Sequence, residues 1–410
     1  MKAAKAALLE AEKKLGNVVL VMGRSRSAQQ TAALLDQAGR DTPVLAINLQ
    51  CFALTQVVGP ILERKVPLAV FSLPASGHDW MYPPRWQRAG HRVTLLASSD
   101  YGELERALRL LRVIPMMQET RILLFPPAHG TAPACSPEQV KQRLGAEVVP
   151  VEQTVFDEML AGVEVDAVRA EAERWIRRAR RVIEPTKEDI TKAARVSVAL
   201  QRLMEQHRAQ GLAVGTCMGW LPRGFPCLGF SRLRDRGIPA ACEGDMDSLL
   251  TMILFQYAFD EPGFQGNATF DTSRNALWTA HCTAPLKMAG ADGTEAPYLL
   301  RGHSELGGGC VLEVRLRAGQ TITRAKLIDL DTILLSSAKI IEVPEKSVRG
   351  CRTQIVTKVR DAAKMALQWS SALETEDAMT LLHRVVFYGD HTLSVRHLAD
   401  LMGLKVFEER

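Results

Sequence analysis

The 410-residue sequence lacks the patterns that mark extracellular and membrane proteins. Its eight cysteines are scattered and form no Cys-x-x-Cys pair, which argues against a disulfide framework and against a structural zinc site. No apolar run approaches the roughly 18 residues that a membrane span needs. The N-terminal stretch MKAAKAALLEAEKKLG is amphipathic and has neither the apolar segment nor the cleavage site of a signal peptide. We therefore expect a cytoplasmic protein with no membrane partner.

The sequence also lacks a strong excess of either charge. Its 51 basic residues nearly match its 46 acidic ones, which leaves a net charge of +5. The densest basic cluster, RWIRRARR at 174–181, follows two glutamates in a helical stretch. Such a cluster is more typical of a solvated helix face than of a nucleic-acid site. We expect no nucleic-acid partner.

Short apolar runs alternate with amphipathic segments in the first third of the chain, for example VVLVM (18–22) and VLAIN (44–48). This alternation predicts a mainly parallel sheet covered by helices. A second α/β segment follows, and after Pro262 alternating stretches such as VLEVRLRAG predict antiparallel strands. The predicted fold class is α/β, with two doubly wound α/β domains, 1–155 and 156–262, before a β-rich C-terminal domain, 263–410.

The stretch PAACEGDMDSLLTMILFQY (239–257) contains the first candidate site residue. Its second half is almost solidly apolar and predicts a helix that is buried on most of its surface. Asp245 and Asp247 suit the N-terminus of that helix, where carboxylates cap amides and meet the positive end of the dipole. Glu243 lies upstream of the cap, after a short strand, and ligands bind at the carboxyl ends of strands in α/β proteins. We interpret Glu243 as either a functional carboxylate or a solvated loop acid.

A second cluster of polar residues lies in GFQGNATFDTSRNALWTAHCTAP (263–285), which carries Asn267, Asp271 and His281. Asp271 is either a turn acid or the second carboxylate of a site that Glu243 and His391 complete. His391 follows an apolar strand and precedes a helix. Two carboxylates and one imidazole would suit a divalent cation of the Mn²⁺ type, because hard oxygen donors dominate.

Two other motifs give weaker signals. The run Gly307-Gly308-Gly309 could approach a phosphate or sugar hydroxyls, but a glycine run more often forms a turn. Cys242, His281 and Cys282 could hold zinc, but their spacing follows no zinc motif.

Taken in order, ACEGD, GNATFD, WTAHCTAP, GCRTQ (350–354) and YGDHTLSVRHLADLMGLKVFEE resemble the L-fucose and L-arabinose isomerase superfamily. The sequence is most similar to the shorter fucose-isomerase-like proteins, over roughly residues 210–410. The resemblance implies two α/β domains before a β-rich third domain, and a homo-oligomer that is a trimer or hexamer. It also implies a Mn²⁺ ion, with Mg²⁺ or Co²⁺ as alternatives, held by Glu243, Asp271 and His391.

The activity that this resemblance implies is metal-dependent aldose–ketose isomerisation of a sugar through an enediolate. Glu243 and Asp271 would act as metal ligands and as general acid and base. Residues expected to contact the sugar hydroxyls are His281, His303, Asn275 and Arg352. Two alternatives stay open at this point. One is an epimerase or retro-aldol lyase that uses the same metal site, and the other is a non-catalytic sugar-binding protein.

Overall fold

The computed structural model describes residues 1–74, 78–345, 350–371 and 377–410. Helices and parallel and antiparallel strands are mixed throughout, which confirms the predicted α/β class. The chain divides into two compact units. Unit 1 comprises Met1–Met116 and Leu393–Val406, and unit 2 comprises Met117–Thr392 and Phe407–Arg410. Each helix in the described ranges is too short or too polar to cross a lipid bilayer.

Unit 1 contains a three-stranded parallel sheet in the order β1-β2-β3. All five residues of the central strand are buried, as expected where helices cover both faces. The strands are β1 (Val44–Asn48), β2 (Leu68–Ser72) and β3 (Val93–Ala97). The helices are α1 (Lys2–Leu15), α2 (Ala28–Ala38), α3 (Leu54–Val57), α4 (Gly59–Arg64), α5 (Pro83–Arg88), α6 (Glu103–Gln118, which ends just inside unit 2) and α15 (Thr392–Met402).

The predicted strand at 18–22 is wrong, because these residues take up no regular structure. Val19 is 90% exposed, and the Leu20 amide donates to a Glu12 carboxylate oxygen at 2.7 Å instead of to a neighbouring strand. Strand propensity alone does not make a strand when no partner strand supplies the ladder.

Unit 2 begins with a four-stranded parallel sheet in the order β5-β4-β7-β8. Its strands are β4 (Arg121–Phe125), β5 (Glu147–Pro150), β7 (Gly211–Val214) and β8 (Ala240–Cys242). Its helices are α7 (Pro137–Leu144), α8 (Gln153–Ala161), α9 (Val165–Arg178), α10 (Lys187–His207), α11 (Cys227–Asp235) and α12 (Met246–Phe259). The predicted domain boundary at residue 155 therefore falls between strands that share one sheet.

The next strands are antiparallel and form a closed six-stranded barrel. Their order is β13-β16-β9-β10-β15-β14, and β14 pairs with β13 to close the barrel. They are β9 (Phe264–Asp271), β10 (Ala276–His281), β13 (Thr321–Ile328), β14 (Thr332–Glu342), β15 (Thr353–Lys358) and β16 (His383–Tyr388). A separate small sheet contains β6 (Arg181–Val182), β11 (Tyr298–Arg301) and β12 (Val311–Val314). Helices α13 (Ala362–Ser371) and α14 (Ala378–Leu382) precede β16, and β17 (Lys405–Glu408) ends in unit 2 beside β14.

Helix α12 lies between the parallel sheet and the barrel. It packs against β7 and β8 on one side and against β13 and β16 on the other. Twelve of its fourteen residues are buried, which confirms the prediction from its solidly apolar sequence. Because α12 contacts both sheets, the turn between β8 and α12 lies where the parallel sheet meets the barrel.

Candidate metal centre

The turn between β8 and α12 holds Glu243 in an unusual backbone conformation. Glu243 has φ of 58° and Gly244 has φ of 63°, so two consecutive residues are left-handed. A Cβ on Gly244 would lie 2.4 Å from the Pro127 carbonyl oxygen, which explains the glycine. A left-handed non-glycine residue costs roughly 1–3 kcal/mol, and such strain is concentrated at functional sites. The structure therefore favours the functional interpretation of Glu243.

Two histidines approach Glu243 from the barrel. His281 is the last residue of β10 and His383 is the first residue of β16. Strand β9 lies between these two strands, and its Asn267 is opposite both Ala280 and His383. The antiparallel register thus brings both imidazoles to one end of the barrel, with ring centroids 5.4 Å apart.

The three side chains point their donor atoms at one another. Glu243 Oε2 lies 3.1 Å from His383 Nε2 and 3.7 Å from His281 Nε2, and ligand atoms of all three residues lie within 4.8 Å of one another. All three of these atoms are buried, and among the described residues their only polar neighbours are one another. Buried polar atoms are nearly always fully paired, so three buried ligand atoms that converge on one point without further partners indicate a site for a bound ion.

The other ring nitrogen of His383 is held by a buried ion pair. His383 Nδ1 lies 2.9 Å from Asp245 Oδ2, and Lys326 Nζ donates to the same oxygen at 3.0 Å. All three residues have fully buried side chains. Burial would raise the pKa of Asp245, but the Lys326 charge and the His383 hydrogen bond lower it well below its usual value. An ionised Asp245 accepts a hydrogen bond from Nδ1–H, so loss of the Nε2 proton leaves a lone pair facing Glu243, as in carboxylate–histidine–metal arrangements.

His281 is held by its own neighbours in the chain. Its Nδ1 accepts a hydrogen bond from the Cys282 amide at 3.0 Å and lies 3.3 Å from Thr283 Oγ1. While Nδ1 accepts from the Cys282 amide, the neutral ring carries its proton on Nε2. Coordination through Nε2 therefore requires the other tautomer, in which the Cys282 hydrogen bond is lost and Nδ1–H donates to Thr283 Oγ1.

The pKa shifts of Glu243 and His281 favour the forms that bind a metal, whereas the shift of His383 favours the protonated ring. Burial tends to raise the pKa of Glu243, but His281 and His383 outweigh it and lower the pKa. Burial lowers the pKa of His281. For His383, burial tends to lower the pKa, and the two carboxylates Asp245 and Glu243 raise it overall. An ionised carboxylate and neutral imidazoles are the forms that coordinate metals, so an ion would replace the proton on His383 Nε2.

A cavity of about 30 Å³ is lined by two of the three residues, Glu243 and His281. That volume holds an ion with one or two waters. Its polar lining includes Glu243, Asn267, His281, His303 and Glu305. Asn267 Oδ1 is also buried without a hydrogen-bond partner among the described residues, so it could supply a further oxygen to the same space. The remaining lining residues are Cys217, Met218, Phe225, Pro226, Cys227, Cys242, Cys282 and Cys351.

The structure does not bring Asp271 to this cluster. Asp271 is the last residue of β9 and its carboxylate accepts hydrogen bonds from the amides of Ser273 and Arg274, as a turn acid does. The β9 residue at the site is Asn267, and four further residues of extended strand carry the chain about 13 Å onward. We therefore remove Asp271 from the candidate metal ligands and from the candidate acid/base residues.

His391 is also placed elsewhere. Its Nε2 lies 3.0 Å from Glu261 Oε2 and 2.7 Å from the Tyr388 carbonyl oxygen, and its ring stacks on Phe259 with centroids 4.2 Å apart. It follows the far end of β16, whereas His383 begins that strand. We therefore replace Asp271 and His391 by His281 and His383 as candidate ligands.

The four predicted sugar contacts fall into two groups. His281 and His303 line the cavity, and His303 packs against Phe225 with centroids 4.7 Å apart. Asn275 is a turn residue with φ of 47° whose Oδ1 accepts the Ala362 amide. Arg352 donates to the Gly302 carbonyl at 2.8 Å and is not among the lining residues.

The structure bears on the two weaker motifs, the glycine run and the cysteine–histidine group. Gly307, Gly308 and Gly309 all have positive φ and form a tight turn after His303. The one candidate metal group among the described residues contains no cysteine, which leaves the zinc hypothesis on Cys242, His281 and Cys282 without a cluster.

Comparison with known proteins identifies no family, because the chain matches no family model and no curated protein sequence.

Proposed function

We propose that the chain is a metal-dependent aldose–ketose isomerase, which moves a sugar carbonyl between C1 and C2 through an enediolate. The observation that carries this proposal is the group of three converging, buried ligand atoms, on Glu243, His281 and His383, beside a small cavity. A divalent ion held there would polarise the substrate carbonyl and the neighbouring hydroxyl, which stabilises negative charge as the C–H proton leaves. The resemblance of the motifs to sugar isomerases supplies the reaction class.

The choice of ion follows from the donors. The expectation of Mn²⁺ rested on two carboxylates and one imidazole, whereas the observed group has one carboxylate and two imidazoles. Imidazole nitrogens suit Zn²⁺ and Fe²⁺, whereas Mn²⁺ prefers oxygen donors such as the Glu243 carboxylate. We propose a divalent transition metal, with Mn²⁺ as the ion that the resemblance implies.

Proton transfer needs a second carboxylate now that Asp271 lies elsewhere. Glu305 lines the cavity with Glu243 and is exposed at the surface. An exposed carboxylate at the mouth of the site can accept the C–H proton and return it to the neighbouring carbon. Asn267 and His303 present hydrogen-bonding atoms to sugar hydroxyls from the cavity wall.

We also propose that the protein is a cytoplasmic homo-oligomer, a trimer or hexamer. All eight cysteines lie in the described ranges and are free thiols, as expected in a reducing compartment. Light scattering that finds only a 45.2 kDa monomer at micromolar concentration would contradict the oligomer.

The test of function is a substrate screen on metal-free protein reloaded with Mn²⁺, Co²⁺, Fe²⁺ or Zn²⁺. Pentoses, hexoses, deoxy sugars and acidic sugars are incubated in D₂O and followed by NMR. We expect a ketose or aldose product with deuterium at the carbon that accepts the proton, and loss of turnover in Glu243→Gln. An epimer or a cleaved sugar would identify the epimerase or lyase alternative. Saturable binding with no product for any sugar would contradict the isomerase and favour a sugar-binding protein.

A further inference from the structure

Five cysteines line the cavity beside the candidate metal centre, which is a large share of the eight in the chain. They are Cys217, Cys227, Cys242, Cys282 and Cys351. Neither the metal ligation nor the proton transfer proposed above uses a thiol.

Two of these thiols are in unusually close contact. Cys217 Sγ lies 3.1 Å from Cys242 Sγ, and both residues are buried. A disulfide bond measures about 2.05 Å, so closure needs a shift of about 1 Å. Cys242 ends β8, Cys217 begins the 3-10 helix Cys217–Arg223 after β7, and β7 and β8 are paired neighbours. The sheet therefore already holds the two cysteines at bonding range.

Both cysteines adjoin the backbone of Glu243. The Glu243 amide donates a hydrogen bond to Cys217 Sγ at 3.3 Å, and Cys242 is the preceding residue. Glu243 is in the left-handed conformation, which persists only where its surroundings hold it. A bond from Cys217 to Cys242 would move the sulfur that this amide contacts and so alter one of the contacts that hold Glu243.

We propose that Cys217 and Cys242 are an oxidative modification site, at which a reversible disulfide displaces Glu243 and weakens metal binding. The effect on the metal rests on the proposed function of Glu243, whereas disulfide formation does not. The oxidant is hydrogen peroxide or another peroxide of similar size. A cavity of about 30 Å³ that both cysteines line is large enough for such a molecule.

The chemistry balances in two steps. Cys217 sulfur attacks one peroxide oxygen, the O–O bond breaks, and water leaves, so that Cys217 becomes a sulfenic acid. Cys242 sulfur then attacks Cys217 sulfur, the S–S bond forms, and the sulfenic oxygen leaves as a second water. The two thiols lose two electrons, the peroxide gains them, and both thiol protons end in water.

The test uses a Cys51→Ser, Cys135→Ser background, which removes the two cysteines that are not buried. The protein is treated with hydrogen peroxide, alkylated and digested with trypsin without reductant. We expect peptide 209–223 joined to peptide 237–274, which carry Cys217 and Cys242 as their sole cysteines. Dithiothreitol should separate them, Cys242→Ser should abolish the link, and Cys227→Ser, the matched cavity control, should retain it. Peptides joined through Cys282 and Cys351 instead, or oxidation with no link, would overturn the site.

The second measurement is Co²⁺ affinity by calorimetry on the same samples. We expect oxidation to weaken Co²⁺ binding by about 10–100-fold, the range for lost outer contacts of a metal ligand, and dithiothreitol to restore it. A disulfide with unchanged Co²⁺ affinity would overturn its proposed control of Glu243. If the reduced protein binds no Co²⁺, the metal centre has failed and the peptide map still decides the disulfide.

Discussion

The Nδ1 atom of His383 lies 2.9 Å from Oδ2 of Asp245, and this buried contact decides which ring nitrogen faces Glu243. Replacing Asp245 by Asn removes the charge that fixes the tautomer. We expect the metal dissociation constant to rise by about 10–100-fold, measured by calorimetry with Co²⁺ and Mn²⁺. Lys326 would also lose its counter-charge, so the free energy of unfolding should fall by about 3–5 kcal/mol. Unchanged metal affinity in a folded Asp245→Asn protein would show that Asp245 does not orient His383 for metal binding.

The revised ligand set makes a direct comparison possible. His281→Gln and His383→Gln each remove a ligand and should weaken metal binding more than about 100-fold, beyond the effect of an outer contact. Asp271→Asn and His391→Gln should leave it unchanged, because Asp271 caps a turn and His391 pairs with Glu261. Equilibrium dialysis with metal analysis measures all four. A large loss in His391→Gln and none in His383→Gln would restore the ligand expected from the motif.

Local patterns predicted a good part of the fold. The solidly apolar run after Asp247 predicted the buried α12, and the alternation of apolar runs predicted β1, which the structure has at the expected residues. The barrel closure between β13 and β14 could not be predicted, because the apolar pattern of a strand does not determine which strands it pairs with. Residues 18–22 show the opposite limit, since strand propensity without a partner strand gave no strand.

The site was predictable only in part for the same reason. The strand before Glu243 and the helix after it are local features, so that residue could be singled out. His281 was identified as a sugar contact and Asn267 as part of an unusual polar stretch. His383 was missed because it opens the apolar strand HRVVFY and carries no local signal. It becomes significant only when the register of β16 on β9 places it opposite Asn267.

Asp235 gives the protein a pH dependence that is independent of the metal centre. Burial raises the pKa of Asp235 to about 6, although the Leu286 and Lys287 amides donate to one of its oxygens. Below pH 4 the carboxyl is protonated in both the folded and unfolded states. Between pH 4 and 6 the unfolded chain ionises first, so stability falls as the pH rises and levels off above 6.

The variant Asp235→Asn removes this titration. Relative to wild type, its free energy of unfolding in urea should improve by on the order of 3 kcal/mol between pH 4 and pH 7. Asp292→Asn, at an exposed loop position, is the control and should track wild type. Parallel stability profiles for wild type and Asp235→Asn would contradict the raised pKa.

Glu409 forms a buried ion pair with Arg384 of the barrel strand β16. Glu409 accepts hydrogen bonds from Arg384 Nε at 2.9 Å and Nη2 at 2.7 Å, and both side chains are 1% exposed. Arg384 also lies 3.7 Å from the centroid of the Trp369 ring. Glu409→Gln leaves a buried guanidinium unpaired, so urea unfolding should show a loss of about 3–5 kcal/mol. If Arg384→Met alone costs as much as the double variant with Glu409→Gln, the pair acts as one unit. Additive losses would show that it does not.

The most direct test of the metal centre is an anomalous difference map from crystals soaked in Co²⁺ or Mn²⁺. We expect one strong peak bounded by Glu243 Oε2, His281 Nε2 and His383 Nε2, at roughly 2.0–2.2 Å from each atom. Crystals of Glu243→Gln should lose that peak. A map with no peak among these three residues, or with the ion on Asp271 or His391 instead, would contradict the account.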